Sequence, residues 1–380
     1  MRVLVAPDSF KGSLDPTAVA RALADGWLRA RPTDEVRLIP LADGGEGTLE
    51  AIKASGTDWI ELPVHARDPL GRPLPTTFLR RDEAGIVELA SASGLSRVAP
   101  EERDAMAAST FGTGQVLAAA IGLGVRRIVL GLGGSATTDG GSGLLTALGA
   151  RFLDEHGADL AGGGGPLSRL ARVDLDDVSP ILTEVHLTVA SDVTNPLLGE
   201  RGAASTYGPQ KGADAKQVAQ LEANLARYAD LLEAASTHAI RDVPGAGAAG
   251  GTAAGLLAIA DRFASFEIRP GVEVVMELTS FDDALASSDL VLTGEGRIDE
   301  QTGFGKTAMG VAQRAKDAGV ACISFGGGAT PEGIAALAAL GAVVVPVVEQ
   351  PMTVEQAMAA GVAPLVRAAE RAARLVSLAR

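Results

Sequence analysis

Cysteine is nearly absent: the 380 residues contain one, Cys322. A single thiol rules out a disulfide framework within the chain and fits a reducing, cytoplasmic setting. Inside the apolar run 320–325 it reads as a buried core thiol. Positive charge is in deficit, with Lys+Arg 33 against Asp+Glu 47 and a formal net charge of −14. So acidic a chain is unsuited to nucleic acid or an anionic membrane surface, and an anionic substrate would have to be held by a few local cations and backbone donors. Long apolar runs are missing too. Residues 243–260 and 320–348 are broken by Gly and Pro, and the second contains Glu332, so neither reads as a membrane span. At the N-terminus only residues 3–6 are apolar before Pro7-Asp8, which reads as a strand, not a signal peptide. The four histidines, His65, His156, His186 and His238, lack metal-ligand spacing and read as structural or exposed.

Aromatics are scarce at 3%, whereas glycine is abundant at 47 residues, a balance that goes with many tight strand–helix turns. The composition is globular, with 47% hydrophobic and 21% charged residues, and the length exceeds what one core usually supports. Residues 3–6, 16–31, 35–39 and 48–54 read strand, helix, strand, helix, the first helix opened by Asp15-Pro16. Residues 59–64, 74–79 and 86–89 alternate between turns and read as a meander. A helix over 104–122 leads to a strand at 127–130. Further strands are expected at 185–190, 290–292, 320–325 and 342–348, and helices at 214–235, 307–317, 331–340 and over most of 354–378. The expected fold is α/β with two domains. Both chain ends, residues 1–58 and 286–380, build a Rossmann- or flavodoxin-like parallel sheet, and a second α/β domain, residues 59–285, is inserted into it.

The most informative stretch runs Gly131-Leu132-Gly133-Gly134-Ser135-Ala136-Thr137-Thr138-Asp139-Gly140-Gly141-Ser142-Gly143, between a strand and a helix. A glycine-rich turn there leaves backbone N–H groups open to an anion. Its hydroxyls add donors and Asp139 a carboxylate, which points to phosphate handling. In open parallel sheets ligands bind beyond the carboxyl ends of the strands. Those ends carry Asp8-Ser9-Phe10-Lys11, Asp43-Gly44-Gly45-Glu46-Gly47, Asp192, Thr293-Gly294-Glu295-Gly296-Arg297 and Gly326-Gly327-Gly328. A cleft between the two domains would gather them. Each also has a plain reading: Asp8, Asp43 and Asp192 as caps or turn residues, Lys11 and Lys211 as solvated lysines, and Glu295, Arg297 and Asp299 as a surface ion-pair network.

Two phosphate fingerprints have partial matches in this chain. Gly305-Lys306-Thr307 resembles the tail of a P-loop, but Glu300 stands where that motif needs its first glycine. Gly131-Leu132-Gly133-Gly134-Ser135-Ala136 matches G-x-G-x-x-A after a strand, with Glu155 about 20 residues on, which keeps a nicotinamide-dependent oxidoreductase as an alternative. Gly245-Ala246-Gly247-Ala248-Ala249-Gly250 also matches, without a convincing strand before it.

Taken in order, the segments resemble the bacterial type I glycerate kinase family. The matching pieces are Ala6-Pro7-Asp8-Ser9-Phe10-Lys11, Ala42-Asp43-Gly44-Gly45-Glu46-Gly47-Thr48, Ala92-Ser93-Gly94-Leu95 and Gly112-Thr113-Gly114. They continue with Gly133 through Gly141, Ser191-Asp192-Val193-Thr194-Asn195-Pro196-Leu197, Tyr207-Gly208-Pro209-Gln210-Lys211-Gly212, Pro244 through Gly251, and Leu292-Thr293-Gly294-Glu295-Gly296-Arg297-Ile298-Asp299. The chain departs from the family pattern at Thr138, where many members have Asn, and at Tyr207, where they have Phe. The resemblance implies phosphorylation of D-glycerate by ATP with Mg²⁺, giving 2-phosphoglycerate, with 3-phosphoglycerate the rival product. Residue type and strand-end position assign the roles: Gly133, Gly134, Ser135, Ala136, Thr137, Thr138 and Asp139 bind ATP, and Asp43 and Glu46 hold Mg²⁺, with Asp43 and Asp192 able to exchange roles. Asp192, Lys11 and Lys211 are catalytic, and Asp8, Ser9, Glu295 and Arg297 bind glycerate. A non-catalytic hydroxy-acid sensor is the remaining alternative.

Overall fold

The computed structural model describes residues 1–10, 12–299 and 307–378. The chain divides into two compact units. One comprises Met1–Asp43, Glu50–Thr57 and Pro270–Arg380, and the other Gly44–Leu49 and Asp58–Arg269.

The first unit is built on a five-stranded parallel sheet. Its order is Val343–Pro346, Ala321–Ala329, Leu290–Ile298, Arg2–Val5, Glu35–Leu38. The helix Pro16–Ala30 starts as the sequence predicts: Asp15 caps it by accepting from Ala18 N, with Pro16 in the first turn. Val19, Leu23 and Trp27 of this helix pack with Val3, Val5, Leu290, Leu292 and Phe325 of the sheet. The helix Ala363–Leu378 adds Leu365, Ala369 and Ala373 to the same core. Gly26 sets how closely the two helices approach, because a Cβ there would lie 2.1 Å from the Val366 carbonyl oxygen.

Two expectations at this sheet are corrected. The strand expected at 290–292 continues to Ile298, so Thr293, Gly294, Glu295 and Arg297 lie in the ladder, not in a loop after it. Gly326, Gly327 and Gly328 likewise belong to the neighbouring strand. Glycine permits the pairing: a Cβ on Gly294 would meet the Phe325 carbonyl oxygen at 2.4 Å, and one on Gly327 the Gly296 carbonyl oxygen at 2.5 Å.

The second unit holds a six-stranded mixed sheet, ordered Ser265–Arg269, His186–Ala190, Arg127–Gly131, Ala84–Glu88, Pro73–Arg81, Ile60–Arg67. The first four strands are parallel, and the last two form the antiparallel meander. A two-stranded ribbon, Arg151–Leu153 with Arg172–Asp174, lies in the same unit. Leu117, Leu130, Leu144, Leu187, Leu225 and Tyr228 are among its fully buried core. The long helix Ala215–Ser236 starts on a capping box formed by Asp214 and Gln217. The helix expected from residue 104 begins only at Phe111. Asp104 instead accepts from the N–H groups of Met106 and Ala107, which holds that stretch in a turn.

The glycine contacts give a test whose sign is opposite at two helical positions. Replacing glycine by alanine in a helix ordinarily stabilises by about 0.5–1 kcal/mol. That is the expected result for Gly122→Ala, where nothing lies within 4 Å of the new methyl. For Gly26→Ala the clash with the Val366 backbone should reverse the sign and cost about 1–3 kcal/mol. Urea denaturation of the two variants beside the wild type measures both.

Candidate active site

The glycine-rich turn follows the strand Arg127–Gly131 and leads into the short helix Ser142–Ala147. Gly134, Gly140 and Gly141 have positive φ, at 74°, 65° and 79°, which bends the turn in a way L side chains resist. Glycine also lets other backbone segments close on it. A Cβ on Gly131 would lie 2.4 Å from the Gly44 carbonyl oxygen, and one on Gly133 2.3 Å from Gly45 Cα. On the opposite side, a Cβ on Gly250 would lie 1.9 Å from the Thr137 carbonyl oxygen, while Gly140 N donates to the Gly250 carbonyl at 3.0 Å. The second G-x-G-x-x-G match, Gly245 to Gly250, is thus a brace for the first loop.

Asp139 is the anchor of the turn. It is fully buried, and every group bonded to it is a donor. Its Oδ2 accepts from Thr110 N at 2.8 Å, Thr110 Oγ1 at 2.9 Å and Gly143 N at 3.3 Å, and its Oδ1 accepts from Gly141 N at 3.1 Å. Thr110 Oγ1 in turn accepts from Leu144 N at 2.9 Å. Burial pushes the carboxyl's pKa up, and the Thr110, Gly141 and Gly143 donors oppose that. Tyr228 donates to the Gly140 carbonyl at 2.9 Å, and burial raises its phenol well above 10.0.

Lys211 reaches the same turn. Its Nζ donates to Ser135 Oγ at 2.9 Å and to the Thr137 carbonyl at 2.5 Å. Burial lowers its pKa to about 7, with the charge of Asp139 acting against that. The Tyr207 ring centroid lies 6.0 Å from the ammonium. The hydroxyls of Thr137 and Thr138 are buried and have no hydrogen-bond partner among the described residues.

Several expected site residues converge on the carboxyl ends of the strands in this unit. Gly131 and Ala190 are register partners, Leu132 N donates to the Ala190 carbonyl at 3.2 Å, and Asp192 follows two residues later, partly buried. Glu46 is exposed beside Gly134, whose added Cβ would lie 3.5 Å from Glu46 Cβ. The segment carrying Glu46 is held by Glu88, which accepts from Gly47 N at 3.3 Å and Leu49 N at 3.1 Å.

The other expected residues belong to the first unit. Asp8 is buried; it accepts from Ser9 N at 2.6 Å and from Thr307 Oγ1 at 2.5 Å. Glu295 is buried in its strand. Arg297 is exposed and pairs with Asp299 at 3.2 Å. Asp43 is partly buried and falls in this unit, whereas Glu46 falls in the other. Lys11 and the Gly305-Lys306 pair lie outside the described residues. Among the described residues no group of three or more His, Cys, Asp or Glu could hold a metal ion, and no helix is long and apolar enough to cross a membrane.

Sequence reasoning missed Thr110, Glu88 and Tyr228, which lie far along the chain from the turn, and it named Gly250 without its contact on the turn. The pairing of two glycine-rich segments was the one available signal, since close backbone contact needs glycine on at least one side. A cavity of roughly 670 Å³ in the same unit is lined by Phe111, Ser142, Gly143 and Phe152 among others, but not by Ser135, Asp192 or Lys211. The strand-end geometry is therefore the better guide to chemistry.

The buried lysine supplies a stability test. Folding lowers its pKa from 10.5 to about 7, so between those values the unfolded chain holds the extra proton. Wild-type stability relative to Lys211→Met should rise with pH across that window, by up to about 1.4 kcal/mol per pH unit, and level off below it. Urea unfolding of both proteins over the pH series checks the sign and the slope.

Comparison with known proteins now assigns the architecture. The model of the glycerate kinase family matches residues 3–377. A glycerate kinase from Halalkalibacterium halodurans is 45% identical over 327 residues, 86% of this chain and 85% of the relative. The glycerate 2-kinase of Escherichia coli K12 is 40% identical over 318 residues, 83% of this chain and 82% of the relative. A crystal structure from Salmonella typhimurium LT2, assigned to a glycerate kinase 2, superposes with a TM-score of 0.81 at 38% identity, covering 100% of this chain and 99% of that one. The chain belongs to the glycerate kinase family.

Proposed function

We propose that this chain transfers the γ-phosphoryl group of ATP to D-glycerate and releases 2-phosphoglycerate. The observation that carries the reading is the glycine-rich turn with the Lys211 ammonium bonded into it, in a chain of this family. Phosphoryl transfer asks little covalent chemistry of a protein and much positioning and charge neutralisation. Backbone N–H groups between Gly134 and Asp139, apart from that of Ala136, which bonds the Ser93 carbonyl, bind phosphate oxygens, and the hydroxyls of Thr137 and Thr138, without a partner among the described residues, are in keeping with a loop built to meet a polar ligand. Asp139 acts from behind by holding the turn's shape. Lys211 adds positive charge next to Ser135.

Asp192 orients the attacking glycerate hydroxyl and accepts its proton. Asp8, Ser9 and Glu295 bind the hydroxyls of glycerate, and Arg297 forks onto its carboxylate. Lys11 contributes a second cation. Asp43 and Glu46 are the residues that would hold Mg²⁺. Mg²⁺ ordinarily takes one or two carboxylates and completes its shell with phosphate oxygens and water. When bound, the ion would neutralise charge on the phosphates. The choice of 2-phosphoglycerate over 3-phosphoglycerate leans on the relative named glycerate 2-kinase.

³¹P NMR of a mixture of the protein, ATP–Mg²⁺ and D-glycerate tests reaction and regiochemistry together. A resonance of 2-phosphoglycerate growing with that of ADP is expected; ADP without a phosphoglycerate resonance would refute the substrate. Asp192→Asn should lower kcat by about 100-fold or more, the usual yield of a positioned base, with a much smaller change in KM for ATP. Turnover close to wild type would sink the assignment of Asp192.

A further inference from the structure

Ser135 and Lys211 are placed to react, not only to bind. Ser135 is 7% exposed and Lys211 2%, with Nζ 2.9 Å from Oγ. The other partner of Nζ is the Thr137 carbonyl, which can only accept. A neutral Lys211 amine would therefore keep an N–H on Thr137 and turn its lone pair to the Ser135 hydroxyl. Serine activated by a buried lysine is a known solution to making a nucleophile without histidine. The backbone on both sides of Ser135 is clamped: Leu95 N donates to the Gly134 carbonyl at 2.9 Å, and Ala136 N to the Ser93 carbonyl at 2.9 Å. Ser135 also sits on the turn assigned above to the ATP phosphates, so this inference rests on that assignment.

We propose that Ser135 is a self-phosphorylation site, filled from ATP when no glycerate hydroxyl is present to take the phosphoryl group. In the step, a bond forms between Ser135 Oγ and the γ-phosphorus. The bond from that phosphorus to the β–γ bridging oxygen breaks, and ADP leaves with the electron pair. The serine proton passes to Lys211 Nζ. The product carries a charge of about −1.5 to −2 at neutral pH beside the ammonium just formed, so the two charges pair. A phosphate fixed there occupies the turn and blocks the next nucleotide, which couples idle turnover to inhibition.

The groups facing Lys211 set how the step responds to pH. Asp139 opposes loss of the lysine proton, and burial favours it. Tyr207 presents its ring, Tyr228 feels the charge of Asp139 and remains a neutral phenol, and Arg103 donates to the Gln210 carbonyl beside Lys211. Labelling should accelerate as pH rises through neutrality.

The test incubates the full chain with Mg²⁺ and ATP labelled with ³²P at the γ position, with and without D-glycerate, and maps acid-stable label by mass spectrometry. Without glycerate, label is expected on Ser135, approaching one per chain; Ser135→Ala should remove it, and Lys211→Met should slow it at least tenfold. Mapping of the wild-type chain does not depend on how either variant folds. Phosphoglycerate formation with no phosphate on Ser135 overturns the proposal and leaves the kinase reading standing. Phosphate on Ser135 with no phosphoglycerate upholds the proposal and removes glycerate as the substrate. If neither product appears, both fall.

Discussion

One buried carboxylate holds the chemistry-bearing part of the molecule in shape. Moving a charge such as that of Asp139 out of water is costly unless hydrogen bonds replace the water it loses. Four donors do so here, from Thr110, Gly141 and Gly143. Those donors belong to the two chain segments that must meet for the turn to exist. Thr110 stands at the start of the helix Phe111–Gly122, and Gly141 and Gly143 open the helix Ser142–Ala147. The desolvation cost of Asp139 is thereby tied to the turn being formed: if either segment moves away, a buried charge loses its donors.

The same carboxylate shapes the electrostatics around it. Lys211 is buried and its pKa falls to about 7, but the field of Asp139 limits the fall. A lysine exposed to water at neutral pH would be a fully protonated point charge. Held near its own midpoint, this one can give charge to a phosphate or take a proton from a neighbouring hydroxyl. Which it does depends on what else is bound, because an anion beside the ammonium favours the charged form.

The fold class could be read in the sequence because strand and helix periodicities alternate clearly and the caps are local. Asp15-Pro16 is a short-range signal, and that helix starts where those residues indicate. Long-range partners were not legible. The bonds between Asp139 and Thr110 span 29 positions, and nothing in either residue's neighbourhood marks the other. They also explain why the helix expected from residue 104 waits until Phe111: Asp104 commits Met106 and Ala107 N–H to a turn, and Thr110 N is taken by Asp139. The strand Leu290–Ile298 was underestimated for a different reason. Its glycines look like the end of a strand, yet opposite a second glycine-rich strand they allow the ladder to continue.

Glycine therefore has two meanings in this chain that composition alone cannot separate. At Gly134, Gly140 and Gly141 it supplies backbone angles that bend the turn. At Gly131, Gly133 and Gly250 it supplies absence of bulk, so that three backbone segments can stack on one another. The second use carries the functional consequence. A turn packed against two other backbone segments is held in shape by them, so its N–H groups have fixed directions. Preorganised donors stabilise developing charge without reorganisation at the moment of reaction. The bonds from Leu95 N to the Gly134 carbonyl and from Ala136 N to the Ser93 carbonyl likewise fix the backbone on both sides of Ser135, whose hydroxyl lies 2.9 Å from Lys211 Nζ, and the self-phosphorylation proposal stands on that contact.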